Sequence, residues 1–442
     1  MITEHYDVCI IADSPSTYLT AELLSKNGLR VLLCENNLKN GSQFKPYYPF
    51  YFSINGPLMD TIRTLGMEKS FTERIDPATI QIVLPAGRCE LYQDTERRAN
   101  ELQWLFGKYF ESGMANLQKL RILSEKITKK LTFMEDEVGK ITDRISLWFL
   151  KKKLSHESRL INIGEEHFFC RLLKNYLSIP LLNERQSPVS PFYSSLLSGD
   201  AWTYEGYPDS FINLIREDMR QNIEIYALSD VQVDKNLSYI RKGDDALTFK
   251  FMVIDSSILN NLFPASKAKL FKNFIPVSFW FPVQLRIKKD GFPVGMGKYV
   301  VLVNPEMPPE NANLLFIKTD INDAEVTLNT YSVWRFEELN SKKWVENIVG
   351  SVMDHLLEFM PFINRHLLHL IYPEKVEDLP ESFFNYLYNL KTSPGLFSPV
   401  IKSRLKRRVF IAGPELFPQW GIDADAMSAR YVIDKIKRMM KG

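Results

Sequence analysis

Residues 6–35 constrain this chain more than any other stretch. Tyr6-Asp-Val-Cys-Ile-Ile11 is a short apolar run rich in β-branched residues, the pattern of a parallel strand buried on both faces. A turn of small and polar residues follows, Ala12-Asp13-Ser14-Pro15-Ser16-Thr17. Tyr18 to Lys26 then reads as a helix with Leu19, Leu23 and Leu24 on one face. Asn27-Gly28 ends it, with Gly28 suited to a left-handed cap. A second strand, Leu29 to Cys34, closes on Glu35. Strand, turn, helix and strand at this spacing make a βαβ unit, the opening of a doubly wound nucleotide-binding sheet.

The other end of the chain carries matching pieces. Arg408-Val-Phe-Ile-Ala412 is another short buried strand, and 423–440 reads as a final helix. Between the ends, Asp94 to about Leu173 has the spaced apolar residues and charges of an α-helical insertion. Residues 181–208 are loop-rich, and a helix over Ser210 to Gln221 leads into a strand over Ile223 to Leu228. Alternating stretches follow at 231–240 and 247–254. Val277–Phe281, Val283–Ile287, Tyr299–Val303, Leu314–Lys318 and Val326–Val333 read as a second set of strands. Residues 341–371 read as a long helical stretch interrupted at Pro361. The expected fold class is α/β: a doubly wound, Rossmann-like domain with a second mixed β-sheet and a helical substrate-type domain. The boundaries expected are 1–93, 181–276 and 395–442 for the dinucleotide-binding-type part, 94–180 for the insertion, and 277–394 for the substrate-type part.

Charge and composition remove several function classes. Lys+Arg is 55 against Asp+Glu 53 over 442 residues, a balance that argues against a nucleic-acid binder working through bulk charge. Cys9, Cys34, Cys89 and Cys170 form no Cys-x-x-Cys pair, so a disulfide scaffold and a zinc ribbon are not expected. The richest apolar run, Phe274 to Leu285, is short for a membrane span and is broken by Pro276 and Pro282. The N-terminus lacks a signal-peptide pattern, and a cytoplasmic, soluble chain is expected. No Gly-x-Ser-x-Gly elbow, Walker loop or His-Glu-x-x-His is present, which leaves hydrolase and NTPase readings without support.

Segments 6–35 and 408–434 together resemble the two ends of the FAD-dependent amine oxidase and phytoene desaturase superfamily. In that family the first unit reads strand, G-x-G-x-x-G, helix, strand and acidic residue; the last reads strand, A-G-D, then a G-I-x-G-A-x-x-S-G helix start. Here Tyr6–Ile11 and Glu35 match the first unit, Val409–Gly413 the last strand, and Gly421-Ile422 and Ser428 the closing helix. Trp202-Thr-Tyr-Glu-Gly206 looks like the family's mid-chain Gly-Gly segment. The resemblance implies FAD as cofactor, with Glu35 on a ribose hydroxyl pair. The cofactor-binding positions it transfers are Ala12, Ser14, Thr17, Glu35, Gly413, Gly421 and Ala424.

The sequence departs from that pattern where phosphate is bound. Ala12, Ser14 and Thr17 stand at the three fingerprint glycines, and a Cβ at the second pushes a pyrophosphate away from the helix N-terminus. Asp13 adds negative charge, and Pro15 removes one N–H donor. Pro414 replaces the family Asp, Ala424 and Ala429 replace glycines near the flavin ring, and Asp423 and Asp425 add charge at the last helix start. The sequence-based expectation is therefore a catalytically degenerate member without a cofactor. It would act as a binding or scaffold subunit for an apolar ligand or a partner protein, as Rab GDP-dissociation inhibitors do on this fold. The alternative is an FAD-dependent oxidoreductase of amine oxidase or desaturase type, acting on a lipophilic or amine substrate.

Other candidates carry less. His366 and His369 sit three apart on an expected helix, but two further ligands are missing, so a structural role is favoured and no metal is expected. Lys151–Lys153 and the cluster Lys402, Arg404, Lys406, Arg407 and Arg408 could meet anionic headgroups or an acidic partner, although such runs are usually solvated surface. The aromatic stretches Phe44–Phe52 and Phe274–Phe281 read as core, or as an aromatic plug in part of the cofactor cleft. No catalytic side chain is identified.

Overall fold

The computed structural model describes residues 3–36, 51–85, 87–107, 201–234, 239–259, 274–304, 313–380, 385–390 and 401–441, with scattered single positions between them. The first half contributes β1 (Thr3–Ala12), α1 (Pro15–Lys26), β2 (Val31–Glu35), α2 (Pro57–Leu65), β3 (Ile80–Leu84), β4 (Gly87–Leu91) and α3 (Thr95–Phe106). Next come α4 (Asp209–Glu217), β5 (Ile223–Ala227), β6 (Asp245–Asp255), β7 (Phe274–Lys288), β8 (Tyr299–Val303), β9 (Leu314–Ile321) and β10 (Glu325–Arg335). The remainder supplies α5 (Trp344–Phe359), β11 (Leu367–Ile371), β12 (Tyr386–Leu390), β13 (Arg404–Lys406), β14 (Val409–Ala412) and α6 (Asp423–Lys441).

One sheet has the order β13-β14-β6-β1-β2-β5, with two short strands beside β6. The pairings among β14, β6, β1, β2 and β5 are parallel, while β13 at the edge and the two short strands pair antiparallel. The inner strands β14, β6, β1 and β2 are buried on both faces toward their C-terminal ends, as near-continuous apolar runs require: Val8, Ile10, Val31, Leu33, Val253 and Phe410 pack under α1 and α6, while Cys9, Ile11, Leu32, Ile254 and Ile411 pack on the other side. Gly28 takes φ +80 directly after α1 and donates its N–H to Ser25, the left-handed ending expected from the sequence. Strands from the two ends of the sequence meet here, since β6 pairs with β1 on one side and β14 on the other.

The second sheet runs β11-β7-β10-β9-β8-β3-β4, with β12 also on β7. The two strands expected at 277–281 and 283–287 are one strand, β7, despite Pro276 and Pro282. Pro276 lies at a register shift opposite β12. Pro282 falls between the residues that pair with β12 (Phe274–Phe279) and those that pair with β11 (Gln284–Ile287), where its missing N–H leaves no ladder bond unmade on that side. The helical stretch expected over 341–371 is also corrected. α5 stops at Phe359, and Leu367–Ile371 is a strand. Pairing with β7 prevails there over helical spacing, and His369 stands opposite Arg286 rather than on a helix face with His366. Alternation along β7 sends Phe279, Phe281, Val283, Leu285 and Ile287 into a core against Ile348, Val349, Val352 and Leu356 of α5.

The insertion expected at 94–180 begins with α3, and the rest of it falls outside the described residues apart from isolated positions, as do Lys151–Lys153. Among the described residues no helix is long and apolar enough to cross a membrane. Cys9, Cys34 and Cys89 are free and buried. Leu285 is fully buried between sheet and helix, so Leu285→Ala is expected to lower stability by about 3 kcal/mol. Urea unfolding checks this as a reduced midpoint with an unchanged slope.

Candidate functional site

The C-terminal ends of β1, β2, β6 and β14 form one edge of the parallel sheet, the place where open α/β sheets bind ligands. Each strand delivers polar groups to it. β1 ends in Ala12-Asp13-Ser14, β2 in Glu35-Asn36, β6 in Asp255-Ser256-Ser257, and β14 in Gly413-Pro414-Glu415. The N-terminus of α6 brings Asp423 and Asp425 to the same crest.

Hydrogen bonds tie these pieces together. Asp255 Oδ2 accepts from Ser14 N (2.9 Å), Ser14 Oγ (2.5 Å) and Thr17 Oγ1 (3.0 Å). Asp255 Oδ1 accepts from Ser257 N (3.0 Å) and is 2.8 Å from Ser257 Oγ. That hydroxyl also lies 2.6 Å from Asp13 Oδ2, and Asp13 Oδ1 accepts from Asn36 Nδ2 at 3.1 Å. Asp425 accepts from Ser16 N (2.9 Å), from the Ser16 hydroxyl and from Tyr207 OH. Asp423 accepts from Leu58 N (2.9 Å) and Ser53 N (3.2 Å), capping α2 from another part of the chain. Glu415 accepts from the Ser256 hydroxyl.

Among the sequence-derived positions, Ala12, Ser14, Thr17, Glu35, Gly413, Gly421 and Ala424 all come to this edge or the turns leading into α6. Glu35 is buried and binds Tyr18 OH at 3.0 Å and the Arg216 guanidinium. Gly413 has no room for a side chain, because a Cβ there would lie 1.7 Å from Ser256 Oγ. Its N–H donates to Ser428 Oγ at 2.9 Å. Gly421 takes φ +56, and its carbonyl accepts the Ala424 N–H as α6 begins. Asp255, Glu415, Ser256 and Tyr207 were not reached from sequence. The signal for Asp255 was present: an apolar run, Phe251 to Ile254, that ends on an acid as the run before Glu35 does.

The aromatic-plug expectation is corrected where it can be followed. Phe52 belongs to the core, edge-on to Phe71 at 5.5 Å, and carboxylates rather than rings meet the α1 turn. Phe279 and Phe281 are core, and residues 45–50 lie outside the described residues.

Burial dominates the titration of the crest. Asp13 and Asp425 are pushed up to about 6, Asp423 to about 7 and Glu415 to about 8, with burial the largest cause in each. The charge of Asp255 adds to the rise at Asp13, Glu415 and Asp425. Among the described residues none of these carboxylates forms an ion pair. A carboxyl raised on folding binds more protons in the native state than in the unfolded one. Its stability is full below the ordinary carboxyl range and declines as pH rises through the folded value. The melting temperature is therefore expected to fall from about pH 5 to about pH 8 in a thermal-shift series, and a rising profile would contradict this burial.

No family model matches this chain, and no curated protein matches it. Solved structures do. An oxidoreductase from Methanosarcina mazei is 13% identical with a TM-score of 0.57, covering 97% of this chain and 100% of that one. A putrescine oxidase from a redesign of its cofactor binding is 11% identical with a TM-score of 0.56, covering 99% and 100%. Cyclohexylamine oxidase from Brevibacterium oxydans is 14% identical with a TM-score of 0.50, again covering 99% and 100%. The chain shares the fold of these oxidoreductases. The expectation that the chain carries no cofactor is corrected by these matches, which are to cofactor-type oxidoreductases along the whole length of both chains.

Proposed function

We propose that this chain is an FAD-dependent oxidoreductase of amine oxidase or desaturase type, acting on a lipophilic or amine substrate. The observation that carries the reading is the extent of the fold match: 97–99% of this chain against all of each oxidoreductase, both sheets included. A scaffold or binding subunit has no comparable support in these matches.

The adenosine end of the cleft fits FAD. Glu35 ends β2, where an acid in this fold meets ribose hydroxyls, and Tyr18 and Arg216 fix its carboxylate. The α1 turn would face the pyrophosphate, and the start of α6 the flavin side. Bound FAD would supply an isoalloxazine ring that accepts hydride, and the protein's part is position and exclusion of water. Tyr388 of the second sheet has its hydroxyl raised by burial and then by the charge of Glu415, so this sheet reaches the crest. The β7 face opposite α5 carries Trp280, ring against Phe316 at 5.4 Å. Ser278 Oγ on that face is buried without a hydrogen-bond partner among the described residues, as is the side-chain amide of nearby Asn385. An aromatic face with a few polar atoms suits a lipophilic substrate carrying a polar group.

The test is the visible spectrum of the purified full chain incubated with FAD at about pH 6 and then desalted. Retained flavin absorption is expected, and a colourless protein would remove the reading. Glu35→Ala is expected to weaken FAD about tenfold or more by titration, the loss of charge-assisted ribose hydrogen bonds.

A further inference from the structure

The first turn of α1 has no hydrogen-bond donor left for a phosphate. Ser14 N and Ser14 Oγ donate to Asp255, Pro15 has no N–H, and Ser16 N donates to Asp425. Thr17 N turns back to the Ser14 carbonyl at 3.0 Å, and the Thr17 hydroxyl lies between that carbonyl (2.7 Å) and Asp255 (3.0 Å). A helix N-terminus attracts anions through these N–H groups and its dipole, and here two carboxylates from distant segments take that place.

We propose that Asp255 and Asp425 act as internal anions that occupy the phosphate-binding turn, so that a dinucleotide enters only as these carboxylates release it. This rests on the FAD reading above and concerns how its site is controlled. Release is coupled to protons. The single Ser257 hydroxyl proton lies between Asp13 and Asp255, and the single Thr17 hydroxyl proton between Asp255 and a carbonyl. Such an arrangement is complete when one of the carboxyls itself carries a proton. The charged groups facing the pair are Asp13 after β1 and Glu415 after β14, and Asp209 at the start of α4 faces Asp13 in turn. Tyr207 also donates to Asp425. Asp423 lies two residues before Asp425 on α6, and the Arg216 guanidinium is engaged by Glu35. An incoming pyrophosphate therefore meets like charge unless protons are taken up with it. Burial holds Asp13, Asp425 and Glu415 in the range where that uptake occurs near neutral pH.

The experiment titrates FAD into the full chain from about pH 5.5 to about pH 8.5, following flavin absorbance and fluorescence, with wild type, Asp425→Asn and Asp255→Asn. Wild type is expected to bind roughly tenfold or more tightly at the acid end. Asp425→Asn is expected to bind at the alkaline end about as wild type does at the acid end, with a flattened pH profile. Melting curves without FAD give a second readout: the decline in stability with rising pH should be smaller in Asp425→Asn than in wild type. FAD affinity that is equal across pH and across all three forms, with FAD bound, would overturn the gate and leave the FAD reading standing. If no form binds FAD at any pH, the FAD reading fails and the gate falls with it. Should one variant not fold, the wild-type pH series and the other variant decide the matter.

Discussion

Asp255 is the group on which the arrangement of the crest depends. It ends β6, the central strand that pairs with β1 on one side and β14 on the other. From there it accepts hydrogen bonds from the turn that starts α1 and from its own following loop. Asp425 does the same from α6 through Ser16 and Tyr207, and Asp423 reaches α2 through Leu58 and Ser53. Two helices, α1 and α2, are thus fixed at their N-terminal ends by acids borrowed from elsewhere in the chain. Neither has a side-chain cap of its own among the described residues that would do this work: Ser14 lies at the start of α1 without capping it, and Gly56 precedes α2.

The same acids explain why small residues stand where they do. A Cβ on Gly56 would lie 2.7 Å from the Asp423 carboxylate, and one on Gly413 would collide with Ser256. In a dinucleotide fold, glycines near the phosphate make room for a ligand. Here two glycines make room for the protein's own side chains, while Ala12, Ser14 and Thr17 occupy the ligand-side positions. Ser14 and Thr17 bring hydroxyls to positions where the resembled pattern has glycine, and these hydroxyls, like that of Ser16, each find a carboxylate.

Much of the parallel sheet was readable in the sequence, because strands buried on both faces are written as unbroken apolar runs. Tyr6–Ile11, Leu29–Cys34 and Val409–Ala412 stood out for that reason, and so did the helix ending at Gly28. The second sheet was less readable. The prolines of β7 argued for two strands, and only the order of its partners explains how one strand accommodates both. Leu367–Ile371 has no strand signal strong enough to overcome the helical stretch before it, and its conformation comes from pairing with Gln284–Ile287. At the crest, the substitutions at the fingerprint positions were visible, and so was their charge. What one-dimensional reading could not supply was the partner of each: a serine and an acid hundreds of residues apart carry no mark of their contact.

That separation has a kinetic meaning. Ser16 and Asp425 meet across 409 positions, and Ser14 and Asp255 across 241. β1 and β2 can pair early, since a short helix joins them, but β14 finds its place only after β6 has paired with β1. The loop that brings α6 onto α1 closes last, against the largest entropy in the chain. During synthesis the face of α1 that meets α6 stays uncovered until Val409–Lys441 has emerged, long after the strands beneath α1 have been made.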